Sequence, residues 1–307
     1  AAKKVGTSFL NHSRTREVAS AELSDPCLNP QESGLIATSS SSGTKFPPGT
    51  CVGEEVRRNK ISFDYIVGNH LNTQTGLAKA YENKFKVVMP PGAIAFKGDW
   101  AAVSDIAKWL STTESVVREN YFLASAEMRG VQTEIALISF RLMAKRGPSW
   151  VWSEFEASLN PGRCDGEGCV DVFGAITKHV SANQYNHKSY SECKKSPELL
   201  KLFKDAGVPP VWEKYCLYGS QISFEDSDGK PTVLGKGMSN RLSKEQLQAN
   251  TSCINCHAYA SFNKSGVANS FASAANLPVT PNGQLDMTFI KDYLTNDFTW
   301  GLSQARK

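Results

Sequence analysis

The side chains best equipped for chemistry are Cys253, Cys256 and His257, in the string Cys253-Ile254-Asn255-Cys256-His257. This is the C-x-x-C-H spacing of covalent c-type haem attachment. Two thiols add to the two haem vinyl groups, and the adjoining imidazole binds the iron from one side. On a helix these positions are i, i+3 and i+4, so all three side chains share a face. Two other chemistries use paired cysteines. Half a zinc site would need a second Cys-x-x-Cys or a His-x-x-x-His pair, and the sequence contains neither. A thioredoxin-type redox pair wants a βαβ setting, whereas Asn250, Thr251 and Ser252 before the string and Ala258, Tyr259 and Ala260 after it predict a capped helix. The expected cofactor is one covalent haem c, with His257 as an axial iron ligand.

The sixth ligand divides the possible functions. A methionine there gives a low-spin iron of raised potential, suited to electron transfer. Met287 lies downstream of the motif, ahead of an amphipathic stretch (Phe289, Ile290, Tyr293, Leu294); with Asp286 as N-cap it would instead be first-turn core. Met238, between Gly237 and Ser239, is the alternative sixth ligand. His70, His179 and His187 are further candidates, each set against the usual fate of a histidine on the surface. An iron with no side chain in that position would be open to peroxide, dioxygen or nitric oxide. Tyr259 and Arg141 are then the residues considered for a distal role. Glu154, Glu156 and Asp165 read as a solvated face or as bridges rather than a catalytic pair. There is no Gly-x-Ser-x-Gly, P-loop or dinucleotide fingerprint, and no catalytic residue is assigned.

The chain that must position this motif has 307 residues, of which 40% are hydrophobic and 21% charged, an ordinary globular balance. A net charge of +4, without a basic block interleaved with aromatics, argues against nucleic acid and leaves room for a mildly basic face docking a redox partner protein. No apolar run is long enough for a transmembrane helix. The start, Ala1-Ala2-Lys3-Lys4, reads as an end left after removal of a signal peptide, so a periplasmic or extracellular home is expected. Six further cysteines agree with an oxidising compartment. Proximity favours Cys27–Cys51, Cys164–Cys169 and Cys193–Cys216 among the alternative pairings, since short loops close at least entropic cost.

Along the chain, Thr38–Thr44 and Phe46-Pro47-Pro48-Gly49 read as a loop-rich arm. Gln74–Glu82 has helical spacing, Phe85–Met89 reads as a short strand, and Ala93–Trp100 as its returning partner. Ser104–Leu110 predicts a short helix. Tyr121–Met128, Gln132–Ala144 and Trp150–Glu156 predict three antiparallel strands, with Arg129-Gly130 and Gly147-Pro148 at the turns. Trp150 and Trp152 share one strand face, as core or, in the alternative, facing the haem or a substrate. Val170–Tyr185 carries an apolar stripe. Ser196 caps a helix with Pro197 at its first position, a buried face from Leu199, Leu200, Leu202 and Phe203, and a stop at Gly207. From Tyr215 to Gly235 strands and turns alternate, and Phe298 and Trp300 close the chain against the core. The expected fold class is α+β: an antiparallel β-rich body with a small helical C-terminal haem c segment. The expected domains are a loop-rich arm (1–80), a β-rich body with helices (81–245) and the haem c segment (246–307).

Five blocks occur in an order that resembles a family of large, single-haem, exported bacterial cytochrome c proteins. They are Pro90-Pro-Gly-Ala-Ile-Ala-Phe-Lys-Gly-Asp-Trp100, Pro148-Ser-Trp-Val-Trp-Ser-Glu-Phe-Glu156, Asn160-Pro-Gly-Arg-Cys164, Tyr215-Cys-Leu-Tyr-Gly-Ser-Gln221 and Ser252-Cys-Ile-Asn-Cys-His-Ala258. The resemblance spans roughly residues 80 to 265 and implies a β-rich body ending in C-x-x-C-H, a haem and export. Relatives carry histidines near Arg141 and Ala157, so no iron or metal role of those histidines transfers to this chain. The expected function is a periplasmic mono-haem c-type cytochrome in electron transfer. The alternative is a peroxidase- or oxygenase-like haem c enzyme with an open sixth site, or a diatomic-gas binder.

Overall fold

The three strands expected between residues 121 and 156 join four others in one antiparallel sheet in the computed structural model. The structure describes residues 9–11, 50, 52–128, 131–147, 149–161, 193, 195–222, 253–269 and 285–304. The sheet strands are β1 (Phe9–Asn11), β2 (Val52–Asn59), β3 (Ile94–Ala102), β4 (Leu123–Met128), β5 (Val131–Arg146), β6 (Ser149–Ala157) and β7 (Tyr215–Gln221). Their order is β1-β2-β3-β5-β6-β7. The 16-residue β5 is long enough to pair with β4 through its first half and with β6 through its second. Five of the six described α-helices are α1 (Lys60–Gly68), α2 (Gln74–Glu82), α3 (Val103–Trp109), α4 (Glu114–Asn120) and α5 (Pro197–Asp205). No described helix is long and apolar enough to cross a membrane.

The expected α+β class with a helical C-terminal haem segment is overturned: the described fold is mainly antiparallel β. The helix α6 (Cys253–Ala258), which carries the motif, runs only six residues. The amides of Tyr259 and Ala260 close onto the carbonyls of Cys256 and His257 in tight three-residue steps. The chain then enters β8 (Ser261–Asn263), which pairs antiparallel with β9 (Tyr293–Thr295). The stretch from Phe289 to Leu294, expected to be amphipathic, ends in that strand rather than in a helix. A single 3-10 turn, Trp300–Gln304, follows.

Two smaller expectations fail for related reasons. Phe85–Met89 is not a strand; its intended partner β3 instead pairs with β2 and β5, and the Met89 amide bonds a side chain from far down the chain. Helix α5 has the expected Ser196 cap and Gly207 stop, at φ 66°, but none of its residues is buried, and Leu202 is 62% exposed. Of the proposed disulfides, Cys193–Cys216 is present, with Cα atoms 5.7 Å apart. Cys27, Cys51, Cys164 and Cys169 lie outside the described residues, as do Arg129-Gly130 and Val170–Tyr185. Residues 52–82 contribute β2, α1 and α2, the first as an integral strand of the sheet.

The sheet separates two cores, because side chains alternate between its faces. On one face Phe140 stacks on Phe155 at 4.6 Å and Phe96 at 5.5 Å, with Trp212 and Tyr215 edge-on. Val103, Ile106 and Val117 from α3 and α4 cover this layer. On the other face Trp150 and Trp152 join Ile66, Leu71, Leu77 and Ile254.

Asn59 welds the edge of this second core. Its Oδ1 accepts from the amides of Ser62 and Ile94 at 3.1 and 3.0 Å, and its Nδ2 donates to the Gly92 carbonyl at 2.8 Å. One side chain thus caps α1 and starts β3. Asn59→Ala is expected to cost about 2 kcal/mol or more, a cap plus a stranded amide, read as a lower urea midpoint at unchanged slope.

Candidate functional site

Helix α6 carries Cys253, Cys256 and His257, and its short length still places all three on adjoining turns. Both cysteines are thiols, Cys253 half-buried and Cys256 buried. The helix is anchored on two sides. Ile254 is buried in the same core as Trp150 and Trp152, while Cys256 joins Tyr259, Ile290 and Trp300 in a satellite cluster. The Trp300 indole donates to the Cys256 carbonyl at 3.1 Å, a second donor beside the Tyr259 amide, which ties the end of the helix to the C-terminal turn.

The imidazole is oriented from outside the motif. His257 Nδ1 lies 2.7 Å from the Phe298 carbonyl oxygen. A carbonyl can only accept, so Nδ1 carries the hydrogen, and in the neutral imidazole Nε2 then has the lone pair. That is the tautomer an iron-binding imidazole needs. The Trp152 ring meets His257 edge-on at 6.0 Å and Phe298 at 5.7 Å, so the Trp152 indole forms a wall of the site rather than simple filler.

The turn that delivers the Phe298 carbonyl is unusual. Asp297 and Phe298 are consecutive non-glycine residues in the left-handed region, at φ 50° and 63°. Such conformations cost of order 1–3 kcal/mol each and persist where surroundings over-determine them. Here Asp297 accepts from Lys145 Nζ at 2.9 Å, Trp150 Nε1 at 3.3 Å and the Met89 amide at 2.7 Å. Lys145 also lies over the Trp150 ring at 5.4 Å.

The residues present fit a haem by two tests. The donor set is two thiols and an Nε2-basic imidazole on one short helix, the chemistry that vinyl addition and iron ligation require. The Trp152 Nε1–H is buried and has no hydrogen-bond acceptor among the described residues. An orphaned buried donor costs about 1–3 kcal/mol, and a group bearing carboxylates, as haem does, can relieve it.

Of the remaining candidates, Met287 is 67% exposed, so the first-turn core expectation for it fails. Asp286 instead turns back on Thr288, and its own amide donates to the Tyr259 hydroxyl at 2.9 Å. That bond holds the Met287 segment beside the end of α6. Tyr259 is buried with its hydroxyl so engaged, in edge contact with Phe289. His70 is exposed in the turn between α1 and α2. Met238, His179, His187 and Asp165 lie outside the described residues.

Glu154 and Glu156 are not a solvated face: both are 1% exposed. They follow Trp150 and Trp152 on the same face of β6. Arg141 stands opposite Glu154 with Nε 3.6 Å from its carboxylate, and Asn160 donates to Glu156 at 3.2 Å. Ser139 bonds Asp99 at 2.6 Å in the adjoining row. This buried polar row begins one strand position past the wall of the motif site. Alternation alone could have placed the pair on the tryptophan face. Nothing in the sequence marks Lys145, Asp297 or the Phe298 carbonyl as part of the site.

No family model matches the chain, and neither a curated protein nor a solved structure matches it.

Proposed function

We propose that the chain is an exported mono-haem c-type cytochrome that transfers electrons to and from a redox partner protein, of the large single-haem kind its sequence blocks resemble. Cys253 and Cys256 hold the cofactor as thioethers, and His257 ligates iron through Nε2. The observation that carries this reading is the 2.7 Å contact of His257 Nδ1 with the Phe298 carbonyl, which readies Nε2 beside two thiols at haem c spacing. When bound, haem supplies a one-electron iron couple whose potential follows its axial ligand and surroundings. Trp152 closes one side of the site, and its unpartnered indole hydrogen would be available to a carboxylate of the bound group. Lys145, Asp297 and Trp150 hold the turn that faces His257. The Cys193–Cys216 disulfide supports an oxidising compartment, periplasmic or extracellular. Met287 is the first candidate for sixth ligand, because its segment is held beside α6.

A second reading is favoured by the buried Arg141–Glu154 pair next to Trp152: a haem enzyme with an open sixth site, using charged groups that a carrier does not need. Optical and electron-spin spectra of the haem-loaded protein, with and without carbon monoxide, separate the two. A low-spin iron indifferent to carbon monoxide, with a methionine–iron charge-transfer band, supports the carrier. A high-spin iron that binds carbon monoxide readily supports the enzyme or gas binder. A chain that takes up no covalent haem defeats both.

A further inference from the structure

The Asp297 clamp lies outside the haem-attachment motif, yet every one of its bonds bears on the atom that orients His257. Lys145 Nζ is within 2.9 and 3.0 Å of the two Asp297 oxygens, and the lysine side chain is 4% exposed. The Met89 amide and the Trp150 indole complete a set of donors from β5, β6 and the segment before β3. The same turn is closed behind the carboxylate: the Asn296 amide donates to the Ala260 carbonyl at 2.9 Å, and the Thr299 hydroxyl donates to the Asp297 carbonyl at 3.1 Å. Between these fixed points the Phe298 carbonyl bonds the imidazole. A left-handed pair without glycine would otherwise relax toward ordinary backbone angles, and the carbonyl would swing with it.

We propose that Asp297, held by Lys145, Trp150 and Met89, is a positioning residue that fixes the tautomer and electron-donating strength of His257, the effect on iron resting on the haem reading above. A firm Nδ1–H···O=C bond shifts electron density toward Nε2 and makes it the more basic ligand. The oxidised, more positive iron gains most from that basicity, so the clamp lowers the reduction potential. The clamp therefore acts through the Phe298 carbonyl and touches neither iron nor ring.

The test uses the full chain, haem-free and haem-loaded. Asp297→Gly leaves the φ of 50° freely available and removes only the carboxylate. It is made together with Lys145→Met, so that no ammonium is left buried alone. Asp297→Asn with Lys145→Met is the conservative companion, which keeps an acceptor for the Met89 amide and the Trp150 indole and tolerates the left-handed angle. Nitrogen-15 shifts of the His257 ring in the haem-free chain read the tautomer directly. The glycine pair is expected to lose the Nδ1–H preference, and the asparagine pair to restore most of it. In the loaded protein the glycine pair should shift the reduction equilibrium about tenfold toward ferrous iron, ~59 mV for a one-electron couple. A thermal midpoint that falls while tautomer and potential stay at wild-type values would overturn the proposal and leave the clamp a purely structural tie. The tautomer reading needs no haem: a wild-type chain that never loads haem defeats the cytochrome reading, while an unmoved tautomer defeats the clamp. If the glycine pair does not fold, Lys145→Met alone, which withdraws the ammonium from both Asp297 oxygens, decides on the same two readings: a partial loss of the Nδ1–H preference supports the clamp, and an unmoved tautomer and potential overturn it.

Discussion

Replacing Cys253 and Cys256 together by serine should give a folded chain that retains no haem through denaturation, whereas the wild type keeps its haem on a denaturing gel. The effect is all-or-none because serine hydroxyls do not form the thioether bonds that the two thiols form with the vinyl groups. The fold should survive. Cys253 is half-buried, and the buried Cys256 exchanges a sulfur for a smaller polar atom, a loss of about 1–3 kcal/mol. His257→Ala complements this pair: covalent attachment remains, but the spectrum of a histidine-ligated iron is lost. It also releases the Phe298 carbonyl, worth about 1 kcal/mol as one hydrogen bond. Haem retained by the double serine variant, or a His257→Ala spectrum identical to wild type, would sink the assignment.

The motif was legible in the sequence because its chemistry is local: three side chains within five residues, on any helix, converge. The strands β4, β5 and β6 were legible for the same reason, since period-two alternation and Trp150-Val151-Trp152 speak within a short window. What surrounds the motif is not local. Phe298 acts through its backbone carbonyl, an atom that every residue type owns. Lys145 and Asp297 meet across 152 residues, and a lone lysine and aspartate read as surface charges until burial is known. The helical C-terminal segment was misread because a motif that demands one turn of helix says nothing about the second turn. Tyr259 and the strand-forming Ser261-Phe262-Asn263 divert the chain into β8 instead. Of the two readings of Glu154 and Glu156, the bridge holds in the Arg141–Glu154 pair and the solvated face fails, as their parity with Trp152 on a buried sheet face requires.

That shared face yields the second large effect. Trp152→Ala is expected to destabilise the protein by about 3–5 kcal/mol, the usual cost of emptying a large aromatic site in a core. Phe140→Ala, on the opposite face within the stack of Phe96, Phe155 and Trp212, should cost the same by the same mechanism. Stability therefore cannot distinguish the two, and the haem spectrum can. Trp152 walls the imidazole and the Phe298 turn, and its removal would admit water beside His257 and withdraw the indole hydrogen. The reduction potential and the absorption bands should shift in Trp152→Ala and stay put in Phe140→Ala, measured well below both melting temperatures. Equal spectral shifts would mean that the haem answers to global loosening of the sheet, and that Trp152 has no privileged place beside His257. A shift confined to Trp152→Ala would tie the haem to the tryptophan face, next to the buried Arg141–Glu154 pair.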